Sequence, residues 1–143
     1  MPKLTRWYIK SAMLYFVAAM VLGILLAMRN IVRLPGFIAF MTPAFFHMLM
    51  VGWVTQMIFG VAYWMFPTVS RERPRGSAAL GWTAYTLLNG GLLLRVLGEP
   101  LVGVRPHAGW GWILAASALL QWLAGLGFVI NTWPRVRGKW RRL

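Results

Sequence analysis

Four apolar and almost uncharged stretches dominate the 143-residue sequence, at about residues 9–28, 44–66, 77–96 and 110–132. A helix rises about 1.5 Å per residue, so roughly 20 residues cross a hydrocarbon core of about 30 Å. Hydrophobic residues make up 59% of the chain, which excludes an ordinary soluble domain. The sequence therefore predicts an all-α membrane protein in which residues 1–143 form one domain, a bundle of four transmembrane helices.

Prolines divide the longest apolar stretch. Leu34–Ser70 carries no charged residue apart from His47 and is too long for a single crossing. Pro35 suits a turn, Pro43 suits the first turn of a helix, and Pro67 suits a helix end. These positions leave the second predicted span between Pro43 and Pro67.

The basic residues predict the orientation of the chain. With four spans both termini share one side, and the positive-inside rule places the more basic side in the cytoplasm. Four Lys and Arg residues fall on the other side: Arg29, Arg33, Arg95 and Arg105. Eleven fall on the terminal side: Lys3, Arg6, Lys10, Arg71, Arg73, Arg75, Arg135, Arg137, Lys139, Arg141 and Arg142. We therefore expect a multi-pass protein of the cytoplasmic (inner) membrane with both termini in the cytoplasm.

The same charges also bear on possible partners. They form short clusters between apolar runs, whereas a nucleic-acid-binding protein carries its cations along one polar surface. We expect contact with membrane lipid and none with nucleic acid. The chain contains no cysteine, so any metal must be held by histidine, methionine or oxygen ligands.

Both histidines of the chain are predicted near the outer membrane surface. His47 lies about one turn inside span two, and His107 lies in the loop between spans three and four. An imidazole inside the bilayer is costly unless its nitrogens are hydrogen-bonded or bound to a metal. Arg95 and Arg105 are predicted at the same level, and guanidinium groups pair well with haem propionates. These four residues are the candidate haem b site, with His47 as axial iron ligand and His107 as a possible second ligand.

Each of these assignments has an alternative. The alternative for His107 is an exposed loop residue, and the alternative for Arg95 is a side chain that extends to the outer surface without contacting a propionate. At helical spacing His47 shares a stripe with apolar residues that suit either a porphyrin wall or helix packing. The stripe consists of Met50, Val51, Val54, Ile58 and Val61.

Small residues indicate close helix contacts. Gly52 and Gly60 lie in span two, and Gly90 and Gly91 lie in span three. Gln56 lies half a turn round from His47 and should face another helix or subunit. Because four short spans enclose little volume, we expect a homo-oligomer or a subunit of a larger respiratory complex.

Span two also carries a family resemblance. His47-x4-Gly52-Trp53 followed by Phe59–Pro67 (FGVAYWMFP) resembles the second transmembrane helix of the catalytic subunit of the haem-copper oxidase superfamily. The pattern is most similar to cbb3-type oxidases, nitric oxide reductases and short subunit I-like proteins with four helices. The resemblance implies that His47 binds a low-spin haem near the outer face. Short members often carry a His-x-His pair here, and this chain has Phe45 at the first of those positions.

The number of histidines limits the function. A complete oxidase or reductase centre of this superfamily needs several more histidines than the two present. We also expect no carboxylate inside the membrane, because Glu99 falls in the predicted outer loop. The chain is therefore not a complete terminal oxidase by itself, and the sequence leaves open whether it is an enzyme.

Three functional hypotheses follow. The first is a b-type haem protein for electron transfer or gas binding, with His47 as axial ligand. The second iron ligand would be His107, a methionine or the His47 of a symmetry-related copy. The second hypothesis is a haem-free accessory subunit of a respiratory or nitric oxide reductase complex. The third, a four-helix transporter or channel, is least favoured because the first span contains no glutamate.

Overall fold

The computed structural model describes residues 1–72 and 74–136, and within them the chain is all-helical without β-strands. Arg73 and the basic tail after Val136 lie outside the described residues. The α-helices are α1 (Lys3–Met28), α2 (Thr42–His47), α3 (Gln56–Met65), α4 (Ala78–Val104) and α5 (Ala108–Thr132). Within these residues, four helical segments are long and apolar enough to cross a membrane: Lys3–Met28, Gly36–Met65, Ala78–Val104 and Gly109–Arg135. These spans one to four indicate a multi-pass membrane protein, as predicted.

Span two is a composite helix. It begins with a 3-10 segment at Gly36–Met41, continues through α2 into a π-helix at Met48–Thr55, and ends with α3. Pro43 lies in the first turn of α2, where its missing N–H has no helical partner to lose. The chain leaves the helix at Phe66, whose backbone is extended because the next residue is Pro67. Both prolines have the roles that the sequence predicts.

The spans pack as two connected pairs. α1 lies against the π-helix and α3, while α4 packs along α5. A core of buried residues joins the spans: Leu4, Tyr8, Tyr63, Leu88 and Ala124. Phe59 and Phe128 stack with their ring centroids 3.8 Å apart, which links spans two and four.

Glycines permit the close approach between spans one and two. A Cβ added at Gly60 would lie 2.8 Å from the Cβ of buried Tyr8, and one added at Gly52 would lie 2.7 Å from Tyr15 Cγ. Gly91 is similarly close to α5, whereas a Cβ at Gly90 would meet nothing within 4 Å. The predicted packing role therefore holds for three of the four glycines.

Arg135 closes one end of the molecule. Its side chain is 1% exposed. Its Nε donates to the Pro67 carbonyl at 3.0 Å, and one terminal nitrogen donates to the Tyr63 and Phe66 carbonyls at 3.0 and 2.7 Å. These carbonyls belong to the end of span two, where a helix leaves its last acceptors unpaired. The guanidinium thus joins the end of span four to the end of span two.

Candidate functional site

His47 is the last residue of α2 and is half-buried. Its Nδ1 lies 2.9 Å from the backbone oxygen of Pro43, one helical turn earlier. A carbonyl oxygen only accepts hydrogen bonds, so Nδ1 carries a proton, and in the neutral ring Nε2 then keeps its lone pair. This is the tautomer that an imidazole needs to bind a metal through Nε2, and metal-bound histidines commonly donate their other nitrogen to a carbonyl.

The π-helix begins directly after His47 and changes which residues share its face. A π-helix bonds each N–H to the carbonyl five residues earlier, so later side chains rotate relative to an α-helix. Met50 and Ile58 are 55% and 56% exposed. Val51 instead packs against the core that contains Tyr8. The predicted apolar stripe is therefore divided between the exposed surface of the protein and its core.

His107 has the opposite tautomer. It is the exposed N-cap residue of α5, and its Nδ1 accepts a hydrogen bond from the Gly109 N–H at 3.1 Å. An accepting Nδ1 leaves the proton of the neutral ring on Nε2. While His107 caps the helix, neither ring nitrogen offers a free lone pair to iron. It lines a surface cavity with Gly109, Trp110 and Ile113, and His47 is not part of that cavity.

Arg95 forms an ion pair with Glu99. The Arg95 Nε lies 3.0 Å from Glu99 Oε1, and the side chains are 20% and 13% exposed. This pairing exists because α4 continues through Pro100 to Val104, beyond the predicted end of the span near residue 96. The helix of span three therefore includes Glu99, which the predicted end of the span had placed in the outer loop. The spacing of four residues was a sequence signal for this pair, since such residues are neighbours on a helix.

Arg105 lies just beyond α4 and is exposed. Its backbone N–H donates to the Leu101 carbonyl at 3.0 Å. It shares the short connection to α5 with His107. Within the described parts of the chain, no recorded hydrogen bond or ion pair joins His47 to Arg95, Arg105 or His107. The structure thus places Arg95 on α4, Arg105 directly after it and His107 at the start of α5, without a described polar contact to His47.

A polar network that the sequence analysis missed fixes span two against its neighbours. Gln56 is fully buried and its Nε2 donates to the Gly52 carbonyl at 3.2 Å. Asn89 donates through Nδ2 to Gln56 Oε1 at 2.8 Å and to the Tyr85 carbonyl at 2.9 Å. The Tyr85 hydroxyl lies 2.6 Å from Ser11 Oγ. Gln56 therefore faces another helix, as predicted, and the network connects the π-helix to α4 and α1.

Comparisons of the chain with protein-family models, with curated proteins and with solved structures found no match. The resemblance to haem-copper oxidases accordingly stays a prediction. Among residues 1–72 and 74–136, no three His, Asp or Glu side chains gather as they would around a non-haem metal. Any function is thus inferred from the two histidines, the charges and the surfaces of this chain.

Proposed function

We propose that the chain is a b-type haem protein of the inner membrane and that His47 is an axial ligand of the haem iron. The observation that carries the proposal is the 2.9 Å contact between His47 Nδ1 and the Pro43 oxygen. It sets the metal-binding tautomer and orients the ring from within its own helix. When bound, the haem would supply an iron that exchanges one electron or binds a small gas.

The surroundings of His47 indicate that a haem would need a second chain. The neighbouring Phe46 and Met50 are 53% and 55% exposed, so this part of span two faces outward. In each span, 17–22% of the most apolar window is buried inside the chain. Much of the apolar surface is thus available to lipid or another subunit. We therefore place the haem between this chain and a second copy or a larger respiratory complex.

His107, in the outer loop, is not the favoured second ligand of the haem iron. His107 would have to give up its helix cap before its Nε2 lone pair became free. Arg95 already has a carboxylate partner, which leaves exposed Arg105 as the freer candidate for a propionate. A methionine or the His47 of a second copy remains as the sixth ligand.

Counting haem per chain tests the proposal. Protein purified in mild detergent would be measured by its pyridine haemochrome spectrum and its detergent-corrected mass. A shared His47–His47 site predicts a dimer with about one haem for two chains. A ligand from methionine predicts one haem for each chain. Homogeneous, folded protein that neither contains haem nor takes it up would support the second candidate function, a haem-free accessory subunit. The Arg95–Glu99 ion pair favours this alternative, because it occupies one of the predicted propionate partners.

The proposed orientation is tested separately. The eleven-to-four division of Lys and Arg predicts that both termini and the connection around Arg75 are cytoplasmic. A cytoplasmic reporter fused after Arg75 should be active, and a periplasmic reporter should be active when fused after His107. The reverse pattern would place His47 near the cytoplasmic face and contradict the proposed topology.

A further inference from the structure

A cavity of about 530 Å³ lies at the end of the molecule that holds the N-terminus. Its walls come from the start of α1, the connection between spans two and three, and the first turns of α4. Lys3, Tyr63, Arg75, Ser77 and Trp82 are among the residues that line it. The cavity is far from the predicted position of His47 along span two, so it is independent of the proposed haem site.

Span four holds the wall of this cavity in place. The Asn131 side chain accepts from the Ser77 N–H at 2.9 Å and donates to the Ser77 carbonyl at 3.2 Å. Gly76 has a φ of 76°, and a Cβ there would lie 2.5 Å from Asn131 Oδ1. Glycine is suited to this conformation and leaves room for the contact. The connection is thus fixed to α5 beside the cavity.

Positive charge and unused donors gather around the cavity. Within the described part of the chain, Nε of the lining residue Arg75 is buried without a hydrogen-bond partner, and so is Nη1 of Arg135, which is not among the lining residues. The two guanidinium groups are close enough to repel each other electrostatically. Lys3 adds a third cation. Glu72 also lines the cavity, but its side chain is exposed and forms no ion pair with the described cations.

Buried donors beside like charges favour an anionic ligand. A phosphate group offers several strong acceptor oxygens to guanidinium and ammonium groups. The α4 N-terminus at Ser77 adds the positive end of a helix dipole. We propose that this cavity binds the phosphate of an anionic phospholipid headgroup.

The surface next to the cavity favours a lipid over free phosphate. Trp7 and Trp82 are 55% and 38% exposed, and tryptophan concentrates at membrane–water boundaries. Lys3 also borders a second groove, which is lined by Arg6, Trp7 and Lys10. Basic residues at this boundary attract anionic lipids by about 1 kcal/mol each. A headgroup in the cavity would leave its acyl chains beside the apolar helices.

Lipid titration of the purified full-length protein tests this proposal. Binding would be followed by native mass spectrometry and by the rise in melting temperature in detergent. Phosphatidylglycerol should bind, whereas phosphatidylcholine and inorganic phosphate at equal concentration should not stabilise the protein. Lys3→Gln should weaken phosphatidylglycerol binding by about fivefold, and the double variant Lys3→Gln/Arg75→Gln by about tenfold or more. Arg33→Gln removes an exposed arginine at the opposite end, is the matched control and should bind like the wild type.

Several outcomes would overturn the proposal. Equal binding of phosphatidylglycerol and phosphatidylcholine would exclude an anion site. Equal stabilisation by inorganic phosphate would assign the cavity to free phosphate. A loss for Arg33→Gln as large as for Lys3→Gln would show unspecific charge attraction. Because Lys3 is exposed, its single variant decides the question even if the double variant melts too early to be titrated.

Discussion

Replacing His47 with alanine is expected to remove haem b from the purified protein, while replacing His107 with alanine leaves the haem content and the low-spin spectrum unchanged. The two imidazoles differ in tautomer: Nδ1 donates to the Pro43 carbonyl in His47 and accepts from the Gly109 N–H in His107. Only His47 therefore presents a free lone pair on Nε2. Absorption spectra and pyridine haemochrome assays of both variants measure the difference.

The two substitutions control for each other. His107→Ala loses a helix cap at a cost of about 1 kcal/mol, so its melting temperature should fall slightly while its spectrum stays the same. If His107→Ala loses its six-coordinate spectrum, His107 is the second ligand and its cap opens on haem binding. If His47→Ala keeps wild-type haem content, the ligand assignment is wrong and the accessory-subunit hypothesis becomes the better one.

Replacing Arg135 with methionine should lower the free energy of unfolding by about 3 kcal/mol. The buried guanidinium donates to the carbonyls of Tyr63, Phe66 and Pro67, and hydrogen bonds from a charged donor each contribute about 1.5–3 kcal/mol. Relief from burying the cation offsets part of that loss. Thermal or denaturant unfolding in detergent, followed by circular dichroism, measures the change.

Two further variants separate geometry from charge. Arg135→Lys keeps the cation but lacks the planar group that reaches all three carbonyls, so it should recover only part of the stability. Arg33→Met removes an exposed arginine without an assigned partner and should change stability by less than about 0.5 kcal/mol. Equal stability of Arg135→Met and wild type would show that the guanidinium does not hold the ends of spans two and four together.

Charge and proline positions predicted most of the fold. The absence of charge over long stretches indicated four spans, and Pro43 and Pro67 bounded the α- and π-helical part of span two. Pro100 did not end α4, although it cannot donate to the carbonyl of Val96. Membrane helices tolerate such prolines because neighbouring helices compensate for the lost bond. Gly98 illustrates this packing, since a Cβ there would lie 2.9 Å from Leu114 on α5.

The surroundings of the candidate site were harder to predict. Helical spacing assumes about 3.6 residues per turn, and no residue pattern predicted the π-helix. This π-helix divides the apolar stripe that follows His47 along span two. The tautomers of His47 and His107 each depend on one backbone group, the Pro43 carbonyl and the Gly109 N–H. These partners could be identified only from the exact ends of the helices, which the sequence did not predict. From the sequence, Arg135 counts only as one of the basic residues that set the orientation. Its three acceptors belong to the end of a different span, so the sequence carried no signal for them.

The most direct test of His47 as an iron ligand uses the His107→Ala variant. The chain has two histidines, so His47 is the only one left in this variant. The protein would be labelled with nitrogen-15 histidine and its ferric haem examined by pulsed electron paramagnetic resonance. We predict a hyperfine coupling between the electron spin of the ferric haem and histidine nitrogen. The coupling should come from one imidazole if methionine is the second ligand, and from two imidazoles if two copies of the chain share the iron. A haem-loaded variant without histidine coupling would contradict the proposal, and so would a folded variant that binds no haem.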